Sequence, residues 1–161
     1  MHQTETRPAL MELERPRVTV AAIVENEGRF LFVEERDDRG DLVINQPAGH
    51  LESGESLLDA VAREAFEETG WQVRPKHLVG FYLWARPDRT LTYLRVAVAC
   101  RPEHRDPNAV LDEGIERPLW LTAEELASRC DRHRSPLVMR CLEDYLCGEC
   151  YPLSILKSLL D

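Results

Sequence analysis

Four glutamates and an arginine, Glu55, Arg63, Glu64, Glu67 and Glu68, fall within one stretch, Gly49 to Trp71, that reads GHLESGESLLDAVAREAFEETGW. At about 100° per residue, Leu57, Val61, Glu64 and Glu68 share one stripe of a helix, with Leu58, Ala62 and Ala65 on its flank and Glu67 on the other side of Glu64. The stripe that must face the core therefore begins apolar and ends acidic. Carboxylates crowded together and half-buried repel and lose hydration, at a cost of several kcal/mol (order of magnitude) unless a cation compensates. They also sit at the helix C-terminus, where the macrodipole disfavours negative charge. Oxygen ligands of this kind suit a hard divalent cation, Mg²⁺ or Mn²⁺ rather than zinc. A solvated Glu-rich face explains the three acids equally well when they are taken alone.

Spacing separates the two readings. Gly49, Glu55, Arg63, Glu64, Ala65, Glu67, Glu68, Gly70 and Trp71 occupy, without exception, the positions of the box that defines the Nudix hydrolases, which this segment resembles. Ala65 is smaller than the usual Leu, Ile or Val, a matter of packing and not of chemistry. The resemblance implies that Glu64, Glu67 and Glu68 bind Mg²⁺, with Mn²⁺ as a substitute, and that one of them also serves as a base toward water. It implies that Arg63 pairs with Glu55 to brace the loop, and that the Gly49 carbonyl completes a metal's shell. The runs Asn45 to Glu52, Arg134 to Val138 and Tyr151 to Leu153 are similar to a bacterial phosphatase branch of that family. That branch acts on the pyrophosphate of the thiamine pyrimidine and on nucleoside di- and triphosphates.

Positioning these groups requires a loop, a helix and a sheet. The helix is expected from about Glu55 to Thr69, stopped by Gly70. Val18 to Val24 reads as a central strand, Glu25 to Gly28 as a turn and Arg29 to Glu34 as its hairpin partner, with Leu42 to Ile44 feeding the active loop. After the helix, Gln72-Val73 and Leu78 to Trp84 read as strand with Pro75 as punctuation between them, and Leu91 to Cys100 as the clearest later strand. Arg101 to Asn108 reads as a surface loop and Ile115 to Leu121 as a last strand. Thr122 with Glu125 forms a capping box, and Ser135-Pro136 opens a final helix ended by Gly148. The fold class is α/β; the resemblance sharpens it to an α/β/α sandwich around a mixed sheet, one domain over 17–161 behind a polar, proline-broken arm over 1–16.

For substrate contacts, Trp84 and Tyr93 on neighbouring strands are candidates to sandwich a base, with Arg95 and Arg86 gripping phosphate through the guanidinium fork. Tyr93 and Arg95 share a sheet face by alternation. Gln46 and Asn45 are candidates to read amide or amino edges, and Glu113 or Glu116 to supply an extra carboxylate from a loop opposite the helix. His50 is left out of the catalytic set, as a single loop histidine with sufficient acids nearby. Each of these has an ordinary structural alternative, from core packing to a solvated loop.

The formal net charge of −9 argues against a nucleic-acid surface, and no run of 18 apolar residues is present to span a membrane. Five cysteines, an odd number, suit a reducing, cytoplasmic setting, and the Cys147/Cys150 pair lacks the partners a zinc site needs. The expected partner is a small nucleotide or pyrimidine diphosphate, and a monomer is favoured slightly over a homodimer. A dinucleoside polyphosphate, a nucleotide sugar or an RNA 5′-triphosphate would suit the same mechanism, and a silent nucleotide-sensing domain the same fold. The sensor is disfavoured because every metal glutamate is present.

Overall fold

The computed structural model describes residues 15–160. The expected arm over residues 1–16 lies, but for Arg15 and Pro16, outside them. Seven strands form one mixed sheet: β1 (Arg17–Asn26), β2 (Arg29–Arg36), β3 (Leu42–Asn45), β4 (Ala48–His50), β5 (Trp71–Ala85), β6 (Thr92–Arg105) and β7 (Ile115–Leu121). The main path runs β3-β2-β1-β6-β5, with β4 on β1 and β7 on β2. β1 lies parallel to β6 and antiparallel to β4, so Gly49 is registered against Val20 at the centre of the molecule.

Alternation along the central strands splits the core in two. Val20, Ala22, Val24, Val96, Val98 and Cys100 face α1 (Leu57–Thr69), where Ala60, Val61 and Ala65 meet them. Ile23, Phe32, Ala97 and Ala99 point the other way, against α2 (Ala123–Ala127) and α3 (Leu137–Leu146) through Leu126, Val138 and Leu142. This is an α/β/α sandwich, the expected class, and it follows from a period of two in strands that are buried on both faces.

α1 starts two residues later than expected, at Leu57, and ends where the sequence placed it. Ser56 caps α1 by accepting from the Asp59 amide, and Gly70, at φ 73°, ends it. The Thr122/Glu125 capping box is present in both directions.

Two strand boundaries differ. Pro75 does not break β5, which runs unbroken from Trp71 to Ala85. β5 is the last strand on the main path, and the ladder shifts register between Pro75 and His77, so a missing N–H costs little at an edge bulge. β6 likewise continues past Cys100 to Arg105, because Trp71 to Arg74 pair with Arg101 to Arg105, and Pro102 sits beside another shift between Gln72 and Val73. Charge and proline marked that segment as loop; pairing with an edge strand overrides both.

Candidate active site

β4 runs directly against the acids of α1. Gly49 lies so close to α1 that a Cβ added there would fall 2.1 to 2.3 Å from the Glu64 carboxylate atoms. The chain needs glycine here for space. One residue earlier, the Ala48 amide donates to Glu68 Oε2 at 2.9 Å.

Arg63 does more than brace the loop. Its Nε and Nη2 donate to the two Glu55 oxygens at 2.9 and 2.6 Å, a bidentate pair, and Nη2 also reaches the His50 carbonyl at 3.1 Å. Its Nη1 donates to Glu64 Oε1 and Glu67 Oε2, both at 2.9 Å. Glu55 in turn accepts from the Glu52 amide at 2.8 Å. One guanidinium thus ties the loop to the helix and holds two acids in place. Its hydrogen bonds hold the Glu55 carboxyl below the ordinary carboxylate range.

The third acid of the cluster comes from another element. Ligand oxygens of Glu64, Glu67 and Asp112 all lie within 4.8 Å of one another. Asp112 is anchored by its own amide, which donates to the Glu67 carbonyl at the end of α1. It opens the turn Asp112 to Ile115, closed by Ile115 N–H to Asp112 O at 3.1 Å, with Gly114 at φ 88° in its third place. Glu113 and Glu116, the extra carboxylates expected from this loop, both lie outside the cavity. Glu113 is exposed at the tip of the turn, and Glu116 faces Arg36 at 3.5 Å. The signal that could have selected Asp112 is its place at the first position of a turn with glycine in its third, since Asp is favoured at turn starts.

Burial pushes the Glu64 carboxyl up, against the pull of Arg63. It pushes Glu68 up to about 9, despite the Ala48 amide, with Glu35, Glu64 and Asp112 adding repulsion. Burial and mutual repulsion both disfavour ionisation of these carboxyls, and all their donor atoms are oxygen, the set a hard divalent ion prefers. Among the described residues, the acid, His or Cys side chains close enough together to share a metal are Glu64, Glu67 and Asp112; Glu68, expected as the third ligand, is not in that group, and Cys147 and Cys150 are free and exposed and gain no further ligand.

The acids border a cavity of about 900 Å³ whose far side is cationic and aromatic. Trp84 and Tyr93 are cross-strand partners, their rings 5.9 Å apart at 22°. A base sandwiched between them would need two carbon contact distances of about 3.5 to 4 Å each, so the pair offers one wall and no slot. Arg86 borders the cavity and leans on Asp38 at 3.5 Å. His50 is exposed at its rim.

Arg95 is buried on the cavity floor, where Nη1 donates to Gln46 Oε1 at 3.1 Å and Nη2 to Asn45 Oδ1 at 3.3 Å. Gln46 itself is fully buried, donating to the Val138 carbonyl at 2.7 Å, so it fixes Arg95 and touches no substrate space. Neither amide was expected to serve an arginine, since strand alternation says nothing of pairing across strands. Glu35 also borders the cavity, a residue that its strand pattern did not single out.

Residues 15–141 match the family model described as NUDIX domain. Phosphatase NudJ from Escherichia coli (strain K12) is 42% identical over 142 residues, 88% of this chain and 91% of that protein, and Phosphatase NudJ from Shigella boydii stands at the same values. Among solved structures, a NUDIX hydrolase from Nitrosomonas europaea superposes with a TM-score of 0.87 at 44% identity, over 89% of this chain and 97% of that one. A MutT NUDIX hydrolase from Burkholderia pseudomallei shares the fold at TM-score 0.69 and 20% identity, over 81% of this chain and 98% of that one. The likeness runs the length of the domain and extends well beyond α1: this chain belongs to the Nudix hydrolase family, and its chemistry is the hydrolysis of phosphoanhydrides.

Proposed function

We propose that Glu64, Glu67, Glu68 and Asp112, with the Gly49 carbonyl, hold Mg²⁺, for which Mn²⁺ can substitute, and that the enzyme hydrolyses nucleoside di- and triphosphates and 4-amino-2-methyl-5-hydroxymethylpyrimidine pyrophosphate, releasing orthophosphate. The observation that supports this is the meeting of Glu64, Glu67 and Asp112 within 4.8 Å at one border of a cavity that also holds Arg86, Trp84 and Tyr93. Bound there, the cation neutralises phosphate oxygens and lowers the pKa of water. The protein's own task is positioning, since phosphoryl transfer asks for little covalent help. Arg63 holds Glu64 and Glu67 in register, Gly49 leaves them room, and Glu67, half-exposed at the cavity edge, is the acid best placed to accept a proton from water. Arg86 steadies the distal phosphates, and the Trp84/Tyr93 wall receives the ring. Cytoplasmic residence fits the five free cysteines.

The test is Glu67→Gln, assayed with Mg²⁺ on a panel of these substrates with orthophosphate and pyrophosphate separated. Turnover is expected to fall by roughly 10²-fold or more, the scale of losing a positioned general base, with the fold intact. Near-normal turnover removes the assignment, and pyrophosphate as the sole product removes the phosphatase reading.

A further inference from the structure

Deeper in the same cavity, a row of polar side chains is locked into a single orientation by two amides that have no freedom to flip. Arginine can only donate, so Gln46 and Asn45 must both turn oxygen toward Arg95. Gln46 is confirmed from its other end, where its nitrogen donates to the Val138 carbonyl. Asn45 is thereby left with its Nδ2 facing Glu35 Oε1, to which it donates at 3.1 Å. Arg134 Nε approaches the same oxygen at 3.5 Å, an ion pair from a chain segment whose backbone amide is tied to the Ile44 carbonyl. No donor among the described residues is hydrogen-bonded to Glu35 Oε2, and Glu35 borders the cavity. Arg95, buried with its Nε unpaired, backs the row with positive charge.

We propose that Glu35 is a specificity-determining residue whose free oxygen accepts a hydrogen bond from an exocyclic amino group on the substrate's ring, selecting amino-bearing heterocycles over those with a carbonyl at that position. Burial pushes the Glu35 carboxyl up while Arg134, the Asn45 amide and Arg95 pull it down; with the carboxylate ionised, a ring carbonyl placed there would set lone pair against lone pair, whereas an amino group completes the row. The Trp84/Tyr93 wall is indifferent to ring identity; the polar row supplies the choice. This inference rests on the nucleotide reading above.

CTP and UTP differ along one ring edge, a 4-amino group beside an acceptor N3 against a 4-carbonyl beside an N3–H, and serve as the probe for a ring held with position 4 at Glu35. Wild-type kcat/KM is expected to favour CTP about tenfold, the scale of one satisfied against one frustrated hydrogen bond. In Glu35→Gln the side-chain oxygen must stay opposite the donors of Asn45 and Arg134, so the amide nitrogen takes the free place and offers a donor. The CTP/UTP ratio is then expected to invert. In Asn45→Ala, which releases Glu35 from its orientation, the ratio is expected to approach unity. An unchanged ratio in both variants overturns the proposal, as does an equal loss on both substrates joined to a higher Mg²⁺ requirement, which would place Glu35 with the metal acids. Calorimetric affinities for CMP and UMP read the same preference without turnover. If the wild type binds CMP over UMP but hydrolyses neither triphosphate, the function assigned above falls and Glu35 keeps its role.

Discussion

Gly49→Ala measures how tightly the site is built. The new Cβ would lie 2.1 Å from Glu64 Oε1, 2.2 Å from Cδ and 2.3 Å from Oε2, where ordinary contact begins near 3.4 Å. All three carboxylate atoms are overlapped, so turning the group about its own axis gives no relief and it must move away by more than 1 Å. Moving breaks the 2.9 Å hydrogen bond from Arg63 and takes Glu64 out of reach of Glu67 and Asp112. A displacement of about 1 Å at a reacting centre costs on the order of 10²-fold in rate, equivalent to about 2.7 kcal/mol. Stability should suffer less, since the displaced side chain can swing toward the open cavity; overpacking of this kind costs about 1–3 kcal/mol, a melting-temperature loss of several degrees. The assay is kcat/KM in saturating Mg²⁺ beside a melting curve, on Gly49→Ala, Glu64→Gln and the double variant. If the alanine acts by displacing Glu64, it should add little in the Glu64→Gln background. Activity within threefold of wild type, or fully additive losses, would refute the reasoning.

Two further outcomes follow from the same geometry. Asp112→Asn should raise the Mg²⁺ concentration for half-maximal activity by about tenfold while Glu113→Gln leaves it alone, because only Asp112 shares the cluster; equal effects would show that the loop acts through its net charge. Glu68, pushed up to about 9 in the folded protein from an ordinary 4.5, keeps a proton that the unfolded chain has already lost. Between those values stability therefore falls as pH rises, and Mg²⁺, which favours the ionised form, should raise the melting temperature more at pH 8.5 than at pH 6; an equal gain at both would show that metal binding is not coupled to this proton.

The box helix was legible because its chemistry and its stop are both local. The acid stripe and Gly70 lie within one short stretch and periodicity assigns the faces, while the Ser56 cap, one residue past the expected start, is seen only in the structure. What escaped lies across strands. β4 is three residues long, too brief for alternation to show, yet its pairing with β1 brings Ala48 and Gly49 to Glu68 and Glu64. Asp112 is recognisable only once its amide is seen to grip the end of α1. Arg95, Asn45 and Glu35 stand on three different strands, and nothing in a single strand's pattern tells that their side chains form one row. Charge misled in one place as well: Arg101 to Arg105 looks like loop until the pairing of an edge strand is considered.

The site stores an electrostatic conflict and divides it between two devices. Glu64 and Glu67 share Arg63 Nη1, while Nε and Nη2 are committed to Glu55 and the His50 carbonyl, so one cation hydrogen-bonds three carboxylates, with Glu52 a fourth at 3.9 Å, and can neutralise them only in part. Glu68, which receives a backbone amide and no arginine, carries its share of the conflict as a retained proton. Neither device uses a large apolar replacement, though substituting one for a buried ionic group is often neutral or stabilising. A sequence selected for stability alone would have ended this stripe as it began, with leucine and valine. On the function proposed above, a cation entering with the substrate's phosphates would relieve repulsion, burial and dipole together, which is the reason to keep carboxylates on the inner face of this helix.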